Sequence, residues 1–189
     1  MYLTDVDHSK YRKADKSLTS FQSNVVASVI MLPVIMCLLG VFMALHGFII
    51  PVRVIPLVVC IVCVVVAYEG FQSALLSVVC LGGYESLKFK FKWRSLALTC
   101  SCSELLTKRE YLTVVMLPFV LTVLLSYIIS LCFANVELLI VSMLMALGAG
   151  GDVYNALRML GEPAGILVED HPDYIGSIVY YPVEVIRNA

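Results

Sequence analysis

Two carboxylates lie where so apolar a chain has least use for them. Glu69 interrupts an apolar run that extends to Leu81, and Asp152 closes the stretch Gly148-Ala149-Gly150-Gly151-Asp152 inside another. An ionisable group at the centre of a membrane helix costs about 2.5 to 3.5 kcal/mol, so each needs a partner or a purpose. Both lie about 15 residues from the same end of their runs, which at roughly 1.5 Å per residue puts them at one depth, where they can meet. Tyr68 and Gln72 flank Glu69 and carry donors that could satisfy buried acids without a metal. Glu137, at the very start of its run, needs only the interface and reads as a solvated or snorkelling end residue.

The elements that must hold these groups are dictated by composition. The chain has 189 residues, 60% hydrophobic and only 14% charged, and its mean hydropathy is +0.93. This is a membrane composition in a single domain. Four runs are long enough to cross: Asn24 to Ile50 with Pro33 and His46 inside it, the run closing at Leu81 after the turn Pro51 to Pro56, Tyr111 to Phe133 with Pro118, and Val136 to about Leu160. The first is too long for the core of a signal peptide and reads as a retained span. The expected fold class is an all-α bundle of about four transmembrane helices. Residues 1–20 form an N-terminal tail, 21–160 the bundle, and 161–189 a C-terminal tail, of which the part from Ile175 to Val185 could cover the inner end of the bundle.

Between spans two and three the period changes. Leu87-Lys88-Phe89-Lys90-Phe91-Lys92-Trp93-Arg94 alternates apolar and basic, the pattern of a strand, and after Ser95 the positions Leu96, Leu98, Cys100 and Cys102 continue it. A small β-hairpin within residues 84–103 is expected. Basic residues crowd the N-terminal tail and the segment from Lys88 to Arg109, whereas Arg53 stands alone in the first short turn. The positive-inside rule then puts the hairpin and both termini in the cytoplasm, with the plasma membrane as the expected location. Nothing suggests a nucleic-acid surface.

Taken in order, Tyr68-Glu69-Gly70-Phe71-Gln72, Leu81-Gly82-Gly83-Tyr84, the hairpin, Leu117-Pro118-Phe119 and Gly148-Ala149-Gly150-Gly151-Asp152 resemble the Putative zincin peptidase family of small membrane proteins. That family is similar in plan to the site-2 intramembrane metalloproteases. The resemblance spans residues 55–180. It implies H-E-x-x-H on span two, with two histidines on one helical face binding zinc and the glutamate acting as general base on the bound water. Glu69 then takes the general-base position and Asp152 that of a third, acidic ligand. Tyr68 and Gln72 stand where the histidines belong. A phenol must lose a proton of pKa about 10 to bind zinc well, and an amide oxygen is a weak donor. His46 lies near the far end of span one, and His8 and His171 lie in the tails.

The resemblance therefore implies zinc for the family, while the chain as written is expected to carry no cofactor. A natural departure from the motif and a deliberate replacement of Tyr68 and Gln72 both account for this. In site-2-like proteases a strand near the site receives an extended substrate at its edge. By that analogy Phe89, Phe91 and Trp93 are candidate contacts to a membrane-protein or peptide partner, beside the lipid bilayer itself. The readings left open are a silent relative that binds, an active metallopeptidase with unusual ligands, and a carrier using the buried acids. No inverted repeat supports the last.

Three weaker signals complete the chain. The seven cysteines are expected to act as small hydrophobes without a disulfide framework, Cys60 and Cys63 as core packing, and Cys100 and Cys102 as two thiols on one hairpin face. Glycines 148, 150 and 151 suit either close helix packing or a local break before Asp152. Pro118 suits either a kink or a tolerated membrane proline.

Overall fold

The computed structural model describes residues 11–16, 19–47, 51–92, 97–102, 104–170 and 176–183. Helix α1 (Ser20–His46) begins at a capping box, in which Thr19 Oγ1 accepts from the Gln22 amide at 3.4 Å and Gln22 Oε1 accepts from the Thr19 amide at 3.2 Å. Helix α2 (Val54–Val79) follows the short turn at Arg53, and helix α3 (Lys108–Phe133) starts at a second capping box, between Thr107 and Glu110. Three stretches, Val25–His46, Val54–Val79 and Lys108–Phe133, are long and apolar enough to cross a membrane. Pro118 is buried in α3, which runs through it without a break.

The fourth apolar run is not one straight helix. Helix α4 (Val136–Gly148) stops, and helix α5 (Gly150–Leu160) restarts at an angle of 49°. The bend lets the start of α5 press on α1. A Cβ at Gly150 would lie 2.6 Å from Ala27 Cβ and 2.8 Å from Ala27 Cα, so only glycine fits. Gly148 has nothing within 4 Å of such a Cβ, which leaves it no packing role. Close packing and local break thus coexist in one short stretch.

The expected all-α architecture needs a larger correction. The segments expected as tails contribute strands β1 (Tyr11–Asp15), β5 (Leu167–Asp170) and β6 (Ser177–Pro182). With the two-residue strand β4 (Leu106–Thr107) they form an antiparallel sheet in the order β1-β6-β5-β4, Tyr11 opposite Pro182 and Val168 opposite Val179. Composition hid this, because β1 is polar along most of its length and its partner β6 comes from the opposite end of the chain. The expected hairpin forms as β2 (Leu87–Lys92) and β3 (Ala97–Cys102), with Leu87 opposite Cys102 and Phe91 opposite Leu98. Ser95 and Trp93 lie outside the described residues, as do His8, His171 and the side chains of Phe89 and Phe91.

The main core sits where the bundle meets the sheet. Leu76, Tyr111, Val114, Ala156 and Met159 from the helices pack with Leu106, Val168 and Val179 from the strands. Cys80, Cys100 and Cys102 are buried in the same cluster. Against expectation, Cys80 and Cys102 are joined as a disulfide, their Cα atoms 7.0 Å apart, so the end of α2 is tied to the hairpin. Strand alternation turns Cys102 toward α2, a contact that spacing within one element does not reveal. Cys60 is half-buried and Cys63 exposed, so this pair does not pack in the core.

Glu137 also departs from its expected solvated position. It is 2% exposed, and its Oε1 accepts from the Arg53 side-chain Nε at 3.0 Å and from the Arg53 amide at 3.1 Å. The lone basic residue of the first turn thereby fixes the start of α4 to the start of α2.

Candidate functional site

The site is built on the middle of α2 and the first turn of α5. Tyr68, 8% exposed, donates its hydroxyl to Asp152 Oδ2 at 3.4 Å, bringing together two residues 84 positions apart. Glu69 follows Tyr68 on α2 and lies within electrostatic reach of Asp152. Its Oε2 is buried and has no hydrogen-bond partner among the described residues. Gln72, half-buried, sits one turn further along α2, and Ser73 Oγ closes back on the Glu69 carbonyl at 2.5 Å.

The bend decides the setting of Asp152. In a continuous span it would be a mid-helix acid. Because α5 restarts at Gly150, Asp152 instead falls in the first turn of a helix. Gly150 has a double role here, since its contact with Ala27 seats the turn that carries Asp152.

Tyr68, Glu69 and Asp152 are thus gathered as the sequence predicted, while the remaining candidates stay apart or undescribed. His46 Nε2 donates to the Leu131 carbonyl at 2.9 Å, and its ring lies tilted against that of Phe42, so it serves the far end of α1. Trp93 and the side chains of Phe89 and Phe91 cannot be placed relative to the pair, being outside the described residues.

The donor set does not fit zinc. Structural and catalytic zinc sites draw on imidazole, thiolate and carboxylate, with at least three protein ligands. Tyr68 offers a protonated phenol already spent on Asp152, Gln72 offers an amide, and among the described residues no three His, Cys, Asp or Glu side chains converge. Two carboxylates alone make a labile site.

Two supports of the site were not foreseen. Glu104, 2% exposed, accepts from the Leu81 amide at 3.0 Å, the Gly82 amide at 2.9 Å and Ser86 Oγ at 2.5 Å, clasping the end of α2 to the segment before β4. Burial works against its charge, but these three donors hold its carboxyl below the usual range. On the other side of the sheet end, Lys16 Nζ donates to Glu162, which also accepts from Tyr181 at 2.6 Å. Burial again opposes ionisation of Glu162, and Lys16 and Tyr181 outweigh it and lower its pKa. Lys108 Nζ adds bonds to the carbonyls of Leu160 at 3.0 Å and Glu162 at 2.5 Å. No sequence signal marks Glu104. Lys16 and Glu162 are 146 residues apart and pair only through the fold.

Comparison with known proteins gives one family: the model described as Putative zincin peptidase matches residues 61–167. No curated protein and no solved structure matches the chain.

Proposed function

The chain belongs to the Putative zincin peptidase family by a match over residues 61–167, and from that premise we propose that it is a metal-free relative of an intramembrane zinc peptidase that binds a membrane-protein or peptide partner without cutting it. The observation that carries this reading is the Tyr68 to Asp152 hydrogen bond. A residue at a histidine-ligand position donates a hydrogen bond to the acid at the third-ligand position, so the two satisfy each other where a metal would otherwise be needed. In this reading Glu69 keeps the general-base position but is silent, Asp152 is a vestigial ligand, and Tyr68 and Gln72 are non-binding substitutes. Partner contacts are assigned to the hairpin at Phe89, Phe91 and Trp93, whose strand could pair with an extended segment.

A second reading, an active zinc peptidase with atypical ligands, draws on the buried and unpartnered Oε2 of Glu69, since an acid left without donors is free to take a proton. The two readings separate on the zinc content of the purified protein, measured beside a Tyr68→His, Gln72→His variant. Zinc in the variant and none in the original chain supports the first. Zinc in both sinks it and favours the second, and zinc in neither removes the chemical content of the family resemblance from this site.

The same proposal places four crossings in the plasma membrane, with α4 and α5 together making the fourth. Its support is the sheet. β1 precedes α1, β4 precedes α3 and β5 follows α5, and all belong to one sheet, so the chain returns to one side after an even number of crossings. The basic residues before α3 and in the N-terminal segment favour the cytoplasm for that side. The Cys80–Cys102 disulfide counts the other way, since such bonds persist in oxidising compartments. A fluorescent-protein fusion at the C-terminus, which matures in the cytoplasm, lights up if the orientation holds and stays dark if it is reversed.

A further inference from the structure

A groove of about 380 Å³ runs between α3 and α5, lined by Leu112, Met116, Leu117 and Val120 on one wall and Ala156, Leu157 and Leu160 on the other. Its remaining lining residue, Thr113, turns its hydroxyl proton back to the Arg109 carbonyl at 2.9 Å, so the groove offers no side-chain hydrogen-bond donor to an occupant. Leu117, Val120, Leu157 and Leu160 are exposed along it.

The charge at one end identifies the occupant. Arg109 lies on the same helical stripe as Leu112, Thr113, Met116 and Val120, at intervals of three and four residues, and is exposed at the start of α3. Lys108 closes the gap between the helices there by bonding to the Leu160 and Glu162 carbonyls. From Leu112 to Val120 the apolar wall extends about 12 Å along the helix. An apolar channel with a cation at its end matches a lipid tail with an anionic headgroup. An apolar partner helix would bring no counter-charge to Arg109, which an anionic headgroup does.

We propose that this groove binds one anionic phospholipid, its acyl chain between α3 and α5 and its headgroup at Arg109. The site is independent of the zincin reading, because no residue of the Tyr68, Glu69 and Asp152 cluster lines it.

The test uses the full chain reconstituted in equimolar phosphatidylglycerol and phosphatidylcholine, released gently and read for retained lipid by native mass spectrometry. The expected result is one retained lipid, with phosphatidylglycerol preferred about fivefold, the effect of one cation near an anionic headgroup. Arg109→Gln is expected to abolish the preference and keep the retained lipid. Leu157→Trp, which fills the groove from α5, is expected to lose the lipid. Leu117→Trp fills it from the facing wall and gives a second route if the first variant fails to fold, as judged by circular dichroism. Equal retention of the two lipids by the unmodified chain overturns the proposal. So does lipid retention unchanged in a folded tryptophan variant, which would leave the groove to a different occupant such as a partner helix.

Discussion

Glu104 and Glu69 bear on the same helix, and the fold treats them in opposite ways. Around Glu104, at the sheet end of α2, two backbone amides and a hydroxyl converge on the carboxylate. Around Glu69, within α2, one carboxylate oxygen is buried with no partner among the described residues. A buried acid that completes its hydrogen bonds is part of the framework, and the turn around it stabilises its charge. A buried acid left short is a cost carried by the rest of the structure, which the satisfied sheet end can bear. The difference separates a built anchor from a site held open.

The comparison can be broken most forcefully at the anchor. Glu104→Ala leaves the Leu81 and Gly82 amides without their acceptor and is expected to destabilise the protein by about 3 kcal/mol, read as a lower midpoint in thermal melting in detergent. If the midpoint stays put, Glu104 is no anchor. Next is the seat of Asp152: Gly150→Ala should cost about 2 kcal/mol by forcing Ala27 and α5 apart, whereas Gly148→Ala, with open space around it, should change little. Equal effects at the two glycines would mean that the bend, and not the contact with α1, is what glycine serves.

A smaller effect is expected from pH. The Glu162 carboxyl is held below the ordinary glutamate value of about 4.3, so its bonds to Lys16 and Tyr181 contribute in full above that value and are lost as pH falls through the lowered pKa. This loss should amount to under about 1 kcal/mol. Glu162→Gln should flatten that part of the acid-side melting profile, and an unchanged profile would place the acid sensitivity elsewhere. The smallest change, and the only one expected upward, belongs to the site: Glu69→Gln removes an unpartnered carboxylate and should raise the midpoint slightly, by about 0.5 kcal/mol or less. A clear fall instead would reveal a partner for Glu69 and erase its contrast with Glu104.

Much of this arrangement was legible in the residues. The length of the apolar runs located three membrane-length helices, strict alternation located the two strands of the hairpin, and equal depth brought Glu69 and Asp152 to one level. Each of these follows from a local period, which a single sequence carries in full. The disulfide, the Arg53 to Glu137 pair and the strand β1 were not legible, because each joins residues whose separation in sequence holds no periodic trace.

By itself, then, the sequence determined the solvent, the presence of long apolar helices and the chemical poverty of the site, since no arrangement of Tyr68, Gln72 and two acids becomes an imidazole pair. Tertiary structure alone decided that the polar ends of the chain pair as strands, that the last apolar run bends by 49°, and that Asp152 lies at a helix start facing Tyr68. Those outcomes depend on contacts between distant segments, above all the close approach of Gly150 to Ala27, and only the folded chain brings such segments within reach.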